Sequence, residues 1–425
     1  MNFPKLFFTA ASVVICSQLF SQTVAQKAPQ PPVNKSVTDT TVIIPCEFDE
    51  SLDEIVHNWY LQNAMLGHCS KDTGFVTYPD EVYIQRMQKL PYVMEMPYNS
   101  IVRSLIEVFA KRHHQVEYML GIGETYYFPI FEAALSKYNV PLELKYLPVI
   151  ESALNARAIS KAGAGGLWQF MVSTGRIYGL EVNSLVDERC DPVKSSDAAA
   201  RYLRDLYNIY QDWHLVIAAY NCGPGNVSKA MRYAGGGRRD YWQIYPYLPR
   251  ETRSYVPIFI AANYMMNYYK FHNMCPAQPT VTVATDTMMV DKRINLHQVA
   301  DVLDLSIEEL RFLNPQYRQD IIPGNIKPYP LVLPFNQITA YIDNKDSIAA
   351  YRAAELVPQR ARIEPLNSNP TASGSGDITY HKVRSGETLG AIASRYHVTV
   401  SQIKKWNGLR NSMIRAGQRL KIYRK

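Results

Sequence analysis

No constellation in this sequence offers a metal ion its ligands. The nine histidines, His113 and His114 among them, form no HExxH or related pattern, and no pair of the six cysteines has zinc-site spacing. Charged residues are only 20% of the chain, and the net charge of +7 is spread along 425 residues with no nucleic-acid motif. Such an excess suits an anionic wall polymer or a membrane surface better than DNA or RNA. After the first residues no apolar run is long enough to span a bilayer, which excludes a polytopic membrane protein, while 47% hydrophobic residues exclude a disordered one. A chain of this length exceeds one typical core and predicts two to four units.

The N-terminus sets the compartment. Lys5 is a positive n-region and Leu6 to Phe20 an apolar h-region, followed by polar Ser21, Gln22, Thr23 and Gln26. Residues 1–25 therefore read as a secretory signal, and the protein as exported to the periplasm or cell envelope. Cys16 follows Val14 and Ile15, whereas lipidation favours a small residue before the cysteine; peripheral association with an outer membrane stays open. Removing Cys16 leaves Cys46, Cys69, Cys190, Cys222 and Cys275, an odd number, with Cys46–Cys69 or Cys190–Cys222 able to bridge and buried thiols the alternative.

Residues 26–45, with Pro29, Pro31 and Pro32, read as an extended tether. From 46 to 123 the pattern is helical, with Leu52, Ile55, Val56, Trp59 and Tyr60, then Ile101, Leu105, Ile106, Val108 and Phe109, recurring at three and four. Phe128 to Tyr138 predicts an amphipathic helix carrying Ile130, Phe131, Ala134 and Leu135. Asp191 and Pro192 open another, with Ala200, Leu203, Leu206 and Ile209 as its apolar side, and Thr252 to Tyr269 predicts a third.

Glu151 stands out. It lies among Val149, Ile150 and Leu154, so packing would strip its hydration and raise its pKa towards that of a working general acid. Pro148 removes a backbone donor and predicts a bend there. The run from Ser160 to Met171, with Gly163, Gly165 and Gly166, lets backbone approach a ligand, and Trp168, Gln169 and Met171 read as the start of a new helix. A buried acid beside an ordinary glycine turn is the bland alternative.

Two later stretches complete a pattern: Ala218-Ala219-Tyr220-Asn221-Cys222-Gly223-Pro224-Gly225-Asn226-Val227 and Leu248-Pro249-Arg250-Glu251-Thr252-Arg253-Ser254-Tyr255-Val256-Pro257. With the Glu151 to Met171 run they resemble the catalytic domain of lytic murein transglycosylases. The likeness is to the membrane-bound lytic transglycosylase D type, from about Ile44 to the chain end. It implies a mainly α chain: a lysozyme-like helical catalytic domain at 124–275 behind a helical extension at 46–123, and small βααβ LysM modules at the C-terminus.

Two C-terminal segments resemble each other. Val299-Ala300-Asp301 lies above Ile392-Ala393-Ser394, Asn314-Pro315 above Asn407-Gly408 and Pro323-Gly324 above Ala416-Gly417, with about four extra residues before the last strand of the first copy. The second copy, 379–424, opens with His381 to Leu389 and resembles a LysM module that binds N-acetylglucosamine-containing glycans. The first, 291–335, lacks the Ser-Gly-Glu-Thr opening and reads as a degenerate LysM-like module. Residues 336–377 read as a linker.

Glycoside cleavage ordinarily uses two carboxylates, and no motif marks a second one here; Glu181, Asp187 and Glu188 sit in a mixed-charge run. An N-acetyl group on the substrate can replace it. The resemblance implies that Glu151 protonates the β-1,4 bond between N-acetylmuramic acid and N-acetylglucosamine and then deprotonates the muramyl 6-hydroxyl, leaving a 1,6-anhydromuramyl end. It implies Tyr255 as the hydrogen-bond partner of Glu151, and Ser160, Gln169, Met171, Tyr220 and Asn221 along the glycan groove, with Trp168 and Phe170 adding aromatic lining. Glu251 and Arg253 read as a structural ion pair. No cofactor is needed, the partner is peptidoglycan glycan, and oligomeric state is not legible. A hydrolytic muramidase and a catalytically silent wall-binding protein are the alternatives.

Overall fold

The computed structural model describes residues 74, 76–279, 282–357, 364–366 and 378–423, the last with gaps at 385, 397, 408, 410, 412–413 and 416. The expected signal at 1–25, the tether at 26–45, the stripe around Trp59, the Cys46–Cys69 pairing and the Ser/Gly-rich piece at 367–377 lie outside the described residues.

Helix dominates. The principal helices before residue 280 are α1 (Asp80–Gln88), α2 (Ser100–Lys111), α3 (His113–Ile122), α4 (Phe128–Lys137), α5 (Leu147–Ser152), α6 (Val172–Ile177), α7 (Pro192–Tyr210), α8 (Trp213–Cys222), α9 (Pro224–Tyr233) and α10 (Arg250–Tyr268). Asn99 caps α2 by accepting from the Val102 N–H, and Ile101, Leu105, Ile106 and Phe109 turn one buried stripe of that helix onto α10. α3 passes through a π-turn at Gly123–Tyr127 straight into α4. Buried side chains from Tyr83 to Met274 form a single apolar cluster, so the helices before and after residue 124 share one core. On α7, Ala200, Leu203 and Leu206 are buried as expected, but Ile209 is 64% exposed and does not belong to the apolar side.

Pro257 lies inside α10, where it cannot donate to the Arg253 carbonyl one turn back. The Tyr241 hydroxyl donates to that carbonyl instead, at 2.7 Å. This satisfies the carbonyl that the proline leaves without its helical donor, on the helix that carries Tyr255.

A second apolar cluster belongs to β1 (Thr285–Val290), β2 (Arg293–Asn295), α11 (Leu296–Leu303), α12 (Ile307–Leu313), β3 (Ile321–Pro323), β4 (Tyr329–Pro334) and α13 (Ile338–Ala350). β1 pairs antiparallel with β4, Thr285 opposite Pro334, and β2 pairs with β3. Two expectations are corrected here. The unit begins with β1, ahead of residue 291, because β4 needs that partner. The supposed linker from 336 opens with α13, whose Tyr341 and Ile348, two turns apart, are buried in the same cluster. Farther on, Glu364 to Leu366 lies along the first, helical unit, pairing Pro365 with Asn183.

The third unit has β5 (Ile378–Lys382) antiparallel to β6 (Arg419–Tyr423), with α14 (Leu389–Arg395) and α15 (Val400–Trp406) between them in the chain. One asparagine ties each copy of the repeat together. Asn314 donates to the carbonyls of Leu310 and Val332 and accepts from the Val332 N–H; Asn407 does the same with Ile403 and Lys421. The four extra residues noted in the first copy fall between its asparagine and its strand. Among the described cysteines, Cys190 and Cys222 are free, so the Cys190–Cys222 pairing is overturned, and Cys275 is disulfide-bonded.

Candidate active site

Glu151 is the penultimate residue of α5, a short helix that follows a 3-10 turn at Leu142–Tyr146. Pro148 falls in the first turn, where no N–H is required. Ala153 (φ 48°) and Leu154 (φ 63°) then reverse the chain in the left-handed region, a conformation costing a non-glycine residue about 1 kcal/mol. Both are fully buried, and Ser152 donates from its hydroxyl to the Leu167 carbonyl, so packing holds the turn.

The Tyr255 hydroxyl, from the middle of α10, donates to Glu151 Oε1. Burial first, then the neighbouring Glu151 charge, push Tyr255 well above its ordinary value, which keeps it protonated and a donor. The same two causes, in the same order, raise Tyr220.

A groove of about 790 Å³ opens in front of this pair, and Glu151, Ser160, Gln169, Met171, Tyr220, Asn221 and Tyr255 all line it. Ser160 closes the glycine turn: its hydroxyl accepts from the Ala164 N–H at 3.1 Å. The residues from 168 to 171 are not the start of a helix. α6 begins only at Val172, and Gln169 takes φ 47° in a tight turn, its amide nitrogen donating to the Gly166 and Ala158 carbonyls. Gln169 Oε1 has no protein partner among the described residues. Tyr220 donates to the Trp168 carbonyl at 2.8 Å, and Asn221 accepts from the Thr252 hydroxyl at 2.9 Å. Trp168 does not line the groove: it is fully buried and donates to Ser196 Oγ. Tyr202, which no motif marked, lines the groove as well, tilted against Tyr220 with ring centroids 5.3 Å apart.

What holds the glycine turn is Arg189, a residue without a motif. Its guanidinium grips both oxygens of Asp187, at 2.8 and 2.7 Å, and donates from Nη1 to the carbonyls of Gly163 and Phe170, each at 2.8 Å. Both side chains are almost completely buried. Gly166 (φ +82°) packs against the same residue, and a Cβ there would stand 1.7 Å from the Arg189 carbonyl oxygen. The other acids of that run are also committed to structure: Glu188 pairs with Lys194, and Glu181 with Lys327 and Tyr329.

The second unit docks on this brace. The Asp187 N–H donates to the Gln316 carbonyl, the Arg318 N–H to the Leu185 carbonyl, and Arg318 Nη1 lies 3.4 Å from Asp187.

Glu251 is also on the groove wall, one turn before Tyr255 on α10. The expected Glu251–Arg253 ion pair is not formed. Arg253 instead donates to the carbonyls of Leu248 and Pro246. The four-residue spacing from Glu251 to Tyr255 was the available signal that both share a face.

Known families match in the same order along the chain: the Transglycosylase SLT domain at residues 128–243, the Lytic transglycosylase MltD LysM-like domain at 284–350 and the LysM domain at 381–422. Over 334 residues the chain is 31% identical to the membrane-bound lytic murein transglycosylase D of Escherichia coli K12, covering 77% of this chain and 70% of that protein. A 64-residue stretch is 39% identical to an autolysin of Enterococcus faecalis, covering 15% of this chain and 9% of the relative. Among solved structures, the 70-kDa soluble lytic transglycosylase of Escherichia coli is 19% identical with a TM-score of 0.32; the match covers 56% of this chain and 38% of that one. The chain belongs to the membrane-bound lytic murein transglycosylase D family. It is a lytic transglycosylase, a lyase that acts on peptidoglycan, built on a mainly helical lysozyme-like fold with LysM-type units behind it. No helix among the described residues is long and apolar enough to cross a membrane.

Proposed function

We propose that the protein cleaves the β-1,4 bond between N-acetylmuramic acid and N-acetylglucosamine with Glu151 as sole acid and base, releasing 1,6-anhydromuramyl ends. The observation that carries this reading is the Tyr255 hydrogen bond to Glu151 inside the groove. A donor fixed on the carboxyl orients it for the glycosidic oxygen and then for the muramyl 6-hydroxyl. That hydroxyl belongs to a reactant already held in place, an advantage over free water. Ser160, Gln169, Met171, Tyr220 and Asn221 bind the glycan, with the unpartnered Gln169 Oε1 an acceptor for a sugar hydroxyl or amide. We assign residues 124–275 to catalysis, with the helices from 80 to 123 as part of its core, and 379–424 to holding the wall. The protein works in the periplasm or cell envelope.

Mass spectrometry of muropeptides released from purified sacculi tests this. Products lighter by one water, without a borohydride-reducible end, are expected, and Glu151→Gln lowers turnover by at least about a hundredfold. Glu251 on the groove wall favours a second reading, a hydrolytic muramidase with two carboxylates. Reducible ends that disappear with Glu251→Gln would establish that reading instead.

A further inference from the structure

A second depression, of about 420 Å³, lies at the seam between the catalytic unit and the 285–350 unit, with Arg157, Ile159, Asp187, Tyr317, Arg318 and Leu366 among its lining residues. Ile159 faces this depression and Ser160 the groove, so one stretch of backbone is the wall between them.

Charge around the depression is unbalanced. Asp187 is held on both oxygens by Arg189, and Asp320 on both by Arg311, at 3.1 and 2.7 Å. Arg318 reaches Asp187 only at 3.4 Å, and Arg157 is 3.9 Å from Asp320, with His297 also 3.8 Å from that carboxylate. Four guanidiniums thus share two carboxylates, and the two that line the depression are the less well paired. Arg157 donates one Nη2 bond, to the Tyr317 carbonyl at 3.3 Å. Its Nε and Nη1, and the Nε and Nη2 of Arg318, have no partner among the described residues. The side chains are 42% and 40% exposed, so these N–H groups are open to a ligand. A planar fork of this kind is matched by a carboxylate, and Ile159 and Leu366 add apolar wall for an aliphatic side chain.

Peptidoglycan carries short peptides with free carboxylates on its muramyl residues. We propose that this two-arginine depression is a subsite for the carboxylates of that peptide, beside the glycan groove. The inference rests on the reading that the glycan runs past Glu151. It gives the 285–350 unit a part in substrate recognition, because Arg318 comes from it and Arg157 from the catalytic unit.

Calorimetric titration of the full chain carrying Glu151→Gln, with a murein tetrasaccharide bearing tetrapeptides and with the same tetrasaccharide stripped of them, tests it. The peptide-bearing ligand should bind about tenfold tighter, as one charge-assisted hydrogen bond allows, and this preference should shrink as salt is raised. Arg157→Gln should bring its affinity down to that of the stripped sugar, Arg318→Gln should act in the same direction, and Arg157→Lys should retain part of the preference. Equal affinities for the two ligands in the parent, or equal weakening of both by Arg157→Gln, would overturn the subsite. The parental comparison and its salt dependence decide the matter even where a variant does not fold. Binding does not depend on which ends are made, so reducible products would sink the anhydro chemistry and leave the subsite standing.

Discussion

Replacing Arg189 with methionine keeps the volume of the side chain and removes its four hydrogen bonds. Asp187, 1% exposed, would be left with Arg318 at 3.4 Å and the backbone N–H of residue 189 at 3.3 Å, and the carbonyls of Gly163 and Phe170 would lose their side-chain donor. Breaking a buried ion pair by deleting one partner costs about 3–5 kcal/mol. The two carbonyls add about 1 kcal/mol each at most, and not additively. For a unit of this size the melting temperature should fall by roughly 10 °C. Thermal melts followed by circular dichroism, with sacculus turnover measured on protein that remains folded, give the two readouts. The double variant Asp187→Leu/Arg189→Met exchanges the ionic pair for an apolar one and should recover much of the stability. It should not recover turnover, because the turn that carries Gln169 then lacks the guanidinium that ties the Gly163 and Phe170 carbonyls together. A single variant melting within about 2 °C of the parent, or a double variant with full activity, would show that the pair does not brace the groove.

Tyr255→Phe removes the donor to Glu151 and should lower turnover of sacculi by about ten- to a hundredfold while leaving the fold intact; parental rates would dismiss Tyr255 as a partner. His272 is buried between the Val76 carbonyl and the Tyr264 hydroxyl, and burial lowers it from 6.5 to about 4. As pH falls through that window the unfolded chain takes up a proton that the folded one refuses, so stability should drop by on the order of 3 kcal/mol between pH 6.5 and 4. Urea midpoints of the parent should show that slope and those of His272→Gln should not; identical slopes would contradict the assignment. Deleting 379–424 should weaken sacculus binding and slow digestion of insoluble wall while sparing short soluble glycans, by loss of effective concentration. Equal pull-down of both proteins on sacculi would refute a tether.

Much of this protein was legible as residues in a row. The Glu151 helix, the glycine turn, the cap at Asp191 and the Tyr220–Asn221 helix end follow from rules that act within a few residues of chain, as does the repeat that aligns Asn314 with Asn407. Such features depend on backbone propensity and apolar period, which a sequence states directly. Tertiary structure decided the remainder. It sent Trp168 into the core and Tyr202 into the groove, gave Gln169 a left-handed turn in place of a helix, and brought Glu251 beside Tyr255 instead of Arg253. It also turned the supposed linker into a docked helix, left Cys190 and Cys222 as thiols, and set Arg189 against carbonyls 19 and 26 residues away. The physical reason is common to these cases. A polar or aromatic side chain is satisfied by whichever partner packing delivers, and that partner comes from another element whose approach no local rule encodes.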